Sequence, residues 1–253
     1  MKLRSGLKLP ALGLILPLAL ILLWQMAAER HWIDTLFYPA PSAIMDNTWR
    51  QLQEGRLLDD AGITLKRLLI GFALGAVPGI ALGLAAGMTP FLRALLYPLA
   101  SALYVVPRIA LLPLVLVAFS IGDPARIFMV AFGVFFISFF SALSAAEQVD
   151  RNYVDTARSF GAEYHHVVRS VIVPGSAPGV FSGLRVAMGI GLIVVISVEF
   201  LASNSGLGAF IWQRYQIFDF ASMYSGIVTV TLLGVLVNLA LLALERSLLP
   251  WRR

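Results

Sequence analysis

No cysteine occurs among the 253 residues of this chain. A disulfide framework, a thiolate metal site and a cysteine nucleophile are therefore excluded. Charge is scarce as well. Asp, Glu, Lys and Arg make up 13% of the residues, against roughly 25% in ordinary soluble domains. Lysine is reduced to Lys2, Lys8 and Lys66, and none of them follows a glycine. That rules out a GxxxxGK[ST] phosphate loop. The histidines are His31, His165 and His166. The last two are adjacent on a charged stretch, so no metal centre is expected. GxSxG and HExxH are absent, and no other catalytic constellation is visible. The chain does not read as an enzyme, it needs no cofactor of its own, and any ATP chemistry has to come from a partner.

What is abundant is apolar surface: 59% of the residues are hydrophobic and the mean hydropathy is +0.84. A soluble domain of this size could not bury that much, whereas lipid accepts it. Six runs approach the ~20 residues needed to span a ~30 Å hydrocarbon core: 9–28, 68–89, 99–121, 125–146, 178–202 and 223–244. The first follows Lys2, Arg4 and Lys8 and exceeds the ~7–15 residues of a signal-peptide core, so it reads as a retained span. Gly122-Asp123-Pro124 forms a tight turn that makes its two flanking runs antiparallel. The reading is an all-α polytopic membrane protein with about six transmembrane helices in a single domain.

Charge orients the set. With the N-terminus inside, the inner segments hold ten basic residues (Lys2, Arg4, Lys8, Arg93, Arg151, Arg158, Arg169, Arg246, Arg252, Arg253) and the outer segments seven, Lys66, Arg67 and Arg126 among them. Both termini are then expected in the cytoplasm. The +5 net charge is thus topological, and nucleic acid is not an expected partner; membrane lipids are. Within the outer loop, 29–67, Pro39 and Pro41 break the chain and Ser42 offers an N-cap. Met45, Trp49 and Leu52 follow at i, i+4 and i+7 before Gly55, which predicts a short amphipathic helix packed on the bundle.

The second run carries a ladder: Gly71, Gly75, Gly79, Gly83 and Gly87. Such a stripe lets a neighbouring helix approach closely and reads as a packing spine. The fourth run is its opposite, with Phe128, Phe132, Phe135, Phe136, Phe139 and Phe140 forming core or lipid contacts.

One segment stands apart, 150–174, polar and charged amid the apolar runs. Asp150 can cap a helix in which Tyr153, Ala157 and Phe160 share a face, and Gly161 can end it with a positive φ. Tyr164, Val167, Val168, Val171 and Ile172 then fall at i, i+3, i+4, i+7 and i+8, a full apolar stripe that Pro174 is expected to close. Two short helices at an angle make a knob suited to a cleft on a soluble partner.

Asp155-Thr156-Ala157, three residues, Gly161, nine residues, Val171-x-Val173-Pro174 resembles the EAA signature of the permeases of ABC importers: E-A-A, three residues, G, nine residues, I-x-L-P. The spacing agrees throughout; Asp155, Thr156, Val171 and Val173 are the departures. "YPAPSAI" (38–44), "ALLPLVLVAFSIGD" (110–123), "SGLRVAMG" (182–189) and "SNSGLGAFI" (203–211) are similar to stretches in the aliphatic sulfonate, taurine and nitrate permeases. The resemblance implies coupling helices at about 150–174 that dock into an ATPase subunit. It assigns that role to Asp155, Thr156, Ala157, Gly161, Tyr164, Val167, Val168, Val171 and Pro174. It further implies ATP and Mg on the partner ATPase, a second permease chain, most simply a homodimer, a periplasmic or lipid-anchored substrate-binding protein, and residence in a bacterial inner membrane.

Three charges lie away from the ends of the runs: Arg108, Arg185 and Glu199. Each costs about 2.5–3.5 kcal/mol at mid-helix on insertion scales, so each is a candidate for the translocation path. Arg108, after Pro107, either attracts an anion or locks helices in an ion pair. Arg185 is within snorkelling reach of the inner surface. Glu199 either pairs with an arginine on another helix or lines the outer gate. Two arginines have little use on a neutral path, so a small anion such as a sulfonate, taurine or nitrate is the expected solute. The alternatives are a different small solute, for example a pyrimidine thiamine precursor or bicarbonate, or a secondary transporter acting without an ATPase.

Overall fold

The computed structural model describes residues 8–250, with side chains from residue 15 onward. Lys2, Arg4, Arg252 and Arg253 and the side chain of Lys8, used above for orientation, lie outside that range. Among the described residues the chain is helical and contains no strand. The helices are α1 (Lys8–Glu29), α2 (Pro41–Gln53), α3 (Arg56–Met88), α4 (Pro90–Tyr104), α5 (Leu112–Phe119), α6 (Asp123–Glu147), α7 (Arg151–Ser159), α8 (Tyr164–Val167), α9 (Val173–Ala202), α10 (Leu207–Gln216) and α11 (Phe220–Leu248). A 3₁₀ turn, Arg108–Leu111, joins α4 to α5, and a π turn, Val168–Ile172, joins α8 to α9.

Four helical stretches are long and apolar enough to cross a membrane: α3, α6, Tyr164–Ala202 and α11. Pro90–Tyr104 and Arg108–Phe119, bent by 87° to one another, have the combined length and apolar composition of a fifth, broken span or of a re-entrant loop. The apolar α1 is a sixth candidate, although its described part, Ile15–Glu29, falls short of a full span. Leu74 and Val77 on α3, and Leu232 and Leu236 on α11, are all more than half exposed. Such faces are stable only against lipid or another apolar surface.

The centre of the molecule is the α3–α6 pair, and the glycine ladder explains it. A Cβ on Gly79 would lie 2.6 Å from the Phe135 carbonyl oxygen, and one on Gly87 would lie 2.8 Å from that of Leu143. Gly71 faces Val130, Gly75 Val134 and Gly83 Ala142. Each four-residue step along α3 matches a four-residue step along α6, in the same direction, so the helices run parallel with backbones nearly touching. At that separation Cα–H groups meet carbonyl oxygens, and dispersion contacts are dense. On α6, Phe136 and Phe139 are buried, while Phe128 stays partly exposed beside Phe119 with ring centroids 4.9 Å apart. α9 packs on the α6 side of this pair, and α11 closes the group through α10 and α2.

Several boundaries differ from the sequence expectation. The third run, 99–121, is not one helix. Pro107 lacks an N–H and disfavours helix at the residue before it, so α4 stops at Tyr104 and the chain turns sharply. The second span starts at Arg56 rather than at 68, which draws Lys66 and Arg67 out of the outer loop and into a helix. In α2 the N-cap is Ala40, with Pro41 opening the helix. Ser42 instead meets Gln25 of α1. Met45 and Trp49 are 62% and 63% exposed. The buried face of α2 is Ile44 and Thr48, turned toward α11, where Ser222 accepts from Asn47 and Gln51. Finally, Pro174 does not close a helix. The chain is helical from Tyr164 through Ala202, and the π turn just before the proline absorbs its missing donor.

Candidate functional site

The polar segment forms an elbow at one end of the bundle. The Asp150 carboxylate accepts from Asn152 N at 2.9 Å and caps α7. At the other end of α7, Gly161 has φ +80°. Its N–H donates to Arg158 O at 2.9 Å, and Ala162 N donates to Ala157 O at 3.0 Å. This paired closure needs a left-handed residue, which is why glycine stands there. Beyond the turn, Val167 is buried and anchors α8, while Val168, Val171 and Ile172 are partly covered. Phe160 is 88% exposed, Tyr153 67% and Tyr164 58%. Asp155, Arg158, Tyr164 and Val167 border a cavity of about 850 Å³ between the elbow and the ends of α3, α4 and α6. Arg93 and Glu147 form an ion pair on its wall. Thr156, Ala157, Val171 and Pro174 line a smaller cleft of about 360 Å³. All nine elbow residues singled out from the sequence thus lie in one exposed unit. Glu163, His165 and His166 gather on its rim with ligand atoms within 4.8 Å of one another, all on exposed side chains.

At the opposite end lies an ionic network. Arg67, 2% exposed, pairs with Glu199, 0% exposed, at 2.8 Å and with Asp123 at 2.7 Å. Glu199 also accepts from Thr64 Oγ1 at 2.9 Å and from Gly208 N at 2.9 Å. Thr64 Oγ1 in turn accepts from Leu207 N at 2.8 Å, and Asp60 accepts from Gly206 N at 2.6 Å. Arg126 bridges Asp123 and the Ala202 carbonyl. Four elements, α3, α6, α9 and the start of α10, are thereby fastened at one point. "SNSGLG" is the loop this network holds. Gly206 has φ +98°, and a Cβ there would lie 2.5 Å from the Glu199 carboxyl carbon, so no other residue fits. Of the two readings of Glu199, the geometry realises the pairing with an arginine on another helix. Sequence reasoning missed that arginine because Lys66 and Arg67 sat beside an apparent loop. The clue was spacing: Thr64, Arg67, Leu68 and Gly71 share one helical face.

The two intramembrane arginines part ways. Arg185 meets Glu245 of α11 at 3.3 Å. Arg108 stands in the bend between α4 and α5, with its guanidinium 5.5 Å from the centre of the Tyr104 ring. It has no carboxylate partner among the described residues, and its side chain lies across Gly133 of α6.

A bundle of parallel and antiparallel apolar helices, with a helical elbow at one end and a fastened loop at the other, is the architecture of a polytopic membrane protein. The chain belongs to the family "Binding-protein-dependent transport system inner membrane component", which it matches over residues 79–250. It is 32% identical over 236 residues, 93% of this chain and 90% of the relative, to SsuC of Escherichia coli (strain K12), which bears the name of an aliphatic sulfonates transport permease protein. It is 28% identical over 237 residues (92% and 86%) to the taurine transport system permease protein TauC of the same strain. The nitrate import permease protein NrtB of Synechocystis is 25% identical over 241 residues (91% and 86%). A solved structure of the MetNI methionine ABC transporter in an inward-facing conformation shares the fold, with a TM-score of 0.67, 20% identity, 78% of this chain covered and 98% of that chain.

Proposed function

We propose that the chain is the permease subunit of an ABC importer for a small anion of the sulfonate, taurine or nitrate class. ATP and Mg act on separate ATPase subunits, and a periplasmic or lipid-anchored binding protein delivers the solute. Two copies of the chain form the path. The elbow lies on the cytoplasmic side together with both termini, and the Arg67–Glu199 network lies on the outer side of the bacterial inner membrane. The names of the relatives support the solute class, and the charge distribution supports the orientation.

The observation that carries this reading is the elbow. Phe160, Tyr153 and Tyr164 are uncovered, and Tyr153 borders the cleft formed by Thr156, Ala157, Val171 and Pro174. A helix that presents such a face suits a groove on a soluble partner. The helix from Tyr164 to Ala202 has 39 residues, a rod of about 58 Å at 1.5 Å per residue. Its elbow end meets the ATPase, and its far end bears Glu199. Movement of the elbow on ATPase closure therefore reaches the outer network through a continuous helix, which is the mechanical requirement of alternating access.

Purification of the tagged chain from native membranes in mild detergent, with mass analysis of what accompanies it, tests the proposal. A P-loop ATPase at equal stoichiometry is expected. It should be lost in Gly161→Pro, because proline cannot adopt φ +80°. A chain that purifies alone and still transports would refute the reading.

A further inference from the structure

Every other arginine held within the packed bundle has a carboxylate: Arg67 has Glu199 and Asp123, Arg126 has Asp123, and Arg185 has Glu245. Arg108 has none among the described residues, and its depth makes that costly. It packs against Gly133, and the same point is bordered by Val194 of α9. Gly133 is ten residues from the start of α6 at Asp123, and Val194 is eight residues from the end of α9 at Ala202. At 1.5 Å per residue both lie about 12–15 Å below the outer end of the bundle. That is close to the middle of a ~30 Å hydrocarbon core. The surface of the bend is uncovered there: Val105 is 78% exposed, Ile109 50% and Val117 85%. Were that surface against lipid, an unpaired mid-depth arginine would cost about 2.5–3.5 kcal/mol or more. A wet path bounded by a second copy removes that cost. Irregular backbone at mid-membrane is tolerated where it is buried in protein or lines a water-filled cavity, and the bend is uncovered in the single chain.

We propose that Arg108, steadied by the Tyr104 ring, is a mid-membrane station for a monovalent oxyanion on its way through the path. The station rests on the permease reading above and goes beyond it by placing a solute contact in the membrane domain. The planar guanidinium can donate two parallel N–H bonds to the oxygens of a sulfonate or nitrate. Tyr104 holds the cation by its ring face without neutralising it, so the positive charge remains available to the solute.

The absence of cysteine makes the test direct. Arg108→Cys, assembled with its ATPase and binding protein in proteoliposomes, places one thiol at the station. The probes are methanesulfonate, taurine and nitrate. The thiol should react with water-soluble methanethiosulfonates, which lipid-facing thiols do not. Uptake of the transported probe should fall at least tenfold in the variant while ATP hydrolysis stimulated by the binding protein persists. Modification with the ethylammonium reagent should restore a large part of the uptake, and the sulfonatoethyl reagent should not. Arg108→Lys should retain more uptake than Arg108→Gln. An unreactive thiol, unchanged uptake in Arg108→Gln, or equal recovery with both reagents would overturn the station. So would a wild-type complex that hydrolyses ATP yet accumulates none of the three solutes, two anions and the zwitterion taurine with its anionic sulfonate. Failure of an ATPase to assemble with the wild-type chain would instead defeat the permease reading.

Discussion

Replacing Glu199 by alanine or glutamine tests whether the ionic network holds the outer end of the bundle. The wild-type carboxylate receives three kinds of donor, Arg67 Nη1, Thr64 Oγ1 and Gly208 N. Alanine leaves Thr64 Oγ1 and Gly208 N without this acceptor, while Arg67 keeps Asp123 at 2.7 Å and the Ser205 carbonyl at 2.8 Å. Hydrogen bonds inside membrane proteins average about 0.6 kcal/mol, so three lost bonds alone come to about 2 kcal/mol. Removing one partner of a buried ion pair costs more, about 3–5 kcal/mol. The loss should lie toward the lower of these figures, because Arg67 keeps Asp123 as a counter-charge. Glutamine should rescue little. Arg67 and Gly208 can only donate, and the Thr64 hydroxyl already accepts from Leu207 N, so the amide N–H₂ adds a donor where an acceptor is required. At about 2–4 °C per kcal/mol for a chain of this size, thermal unfolding should begin on the order of 10 °C earlier in both variants. Trp212 of α10 lies tilted beside Phe200, with ring centroids 6.3 Å apart, and its fluorescence reports the seating of the loop. In Arg67→Met/Glu199→Met no lone charge of the pair remains. The double variant should therefore lose less than the two singles together, by about 0.5–3 kcal/mol. Unfolding of Glu199→Ala within 2 °C of wild type, a bound chosen at roughly 1 kcal/mol, would refute the reasoning.

Gly206→Ala should destabilise by about 1–3 kcal/mol through its left-handed backbone, with further loss from collision with the Glu199 carboxylate; the same fluorescence melt reads it. On the α3 spine, Gly79→Ala and Gly83→Ala should each cost about 1–3 kcal/mol by overpacking, since they face α6 backbone that cannot yield. Gly62→Ala, open to its surroundings, should be neutral or mildly stabilising by helix propensity in the same thermal assay. At the elbow, Phe160→Ala and Tyr153→Ala should leave the unfolding temperature unchanged, because both side chains are exposed. They should nevertheless release the ATPase during detergent purification; retention of a full complement would show that the docking face lies elsewhere.

The chain's own chemistry marked α3, α6, α9 and α11 as apolar enough to cross a membrane, because the length and composition of a run can be read without reference to neighbours. It also marked the α3 spine, since a four-residue glycine period has little purpose except close helix contact, and it located the elbow, since caps and positive-φ glycines act locally. The partner of each of these was a matter of tertiary structure. Arg67 read as a loop charge beside Lys66, and only the packing of α3 against α6 and α9 brought it to Glu199 and Asp123. Proline effects were equally contextual. Pro107 breaks its span, Pro78 sits within continuous α3, and Pro174 is carried through a π turn into a helix expected to stop there. Whether an unsatisfied carbonyl is tolerated depends on what surrounds it. The same holds for the arginines: sequence marked Arg108 and Arg185 alike as costly, and only the fold supplied a carboxylate to one and left the other beside a tyrosine ring. Charges separated by a hundred residues meet or miss according to helix register, and that register is decided by all the side chains packed between them.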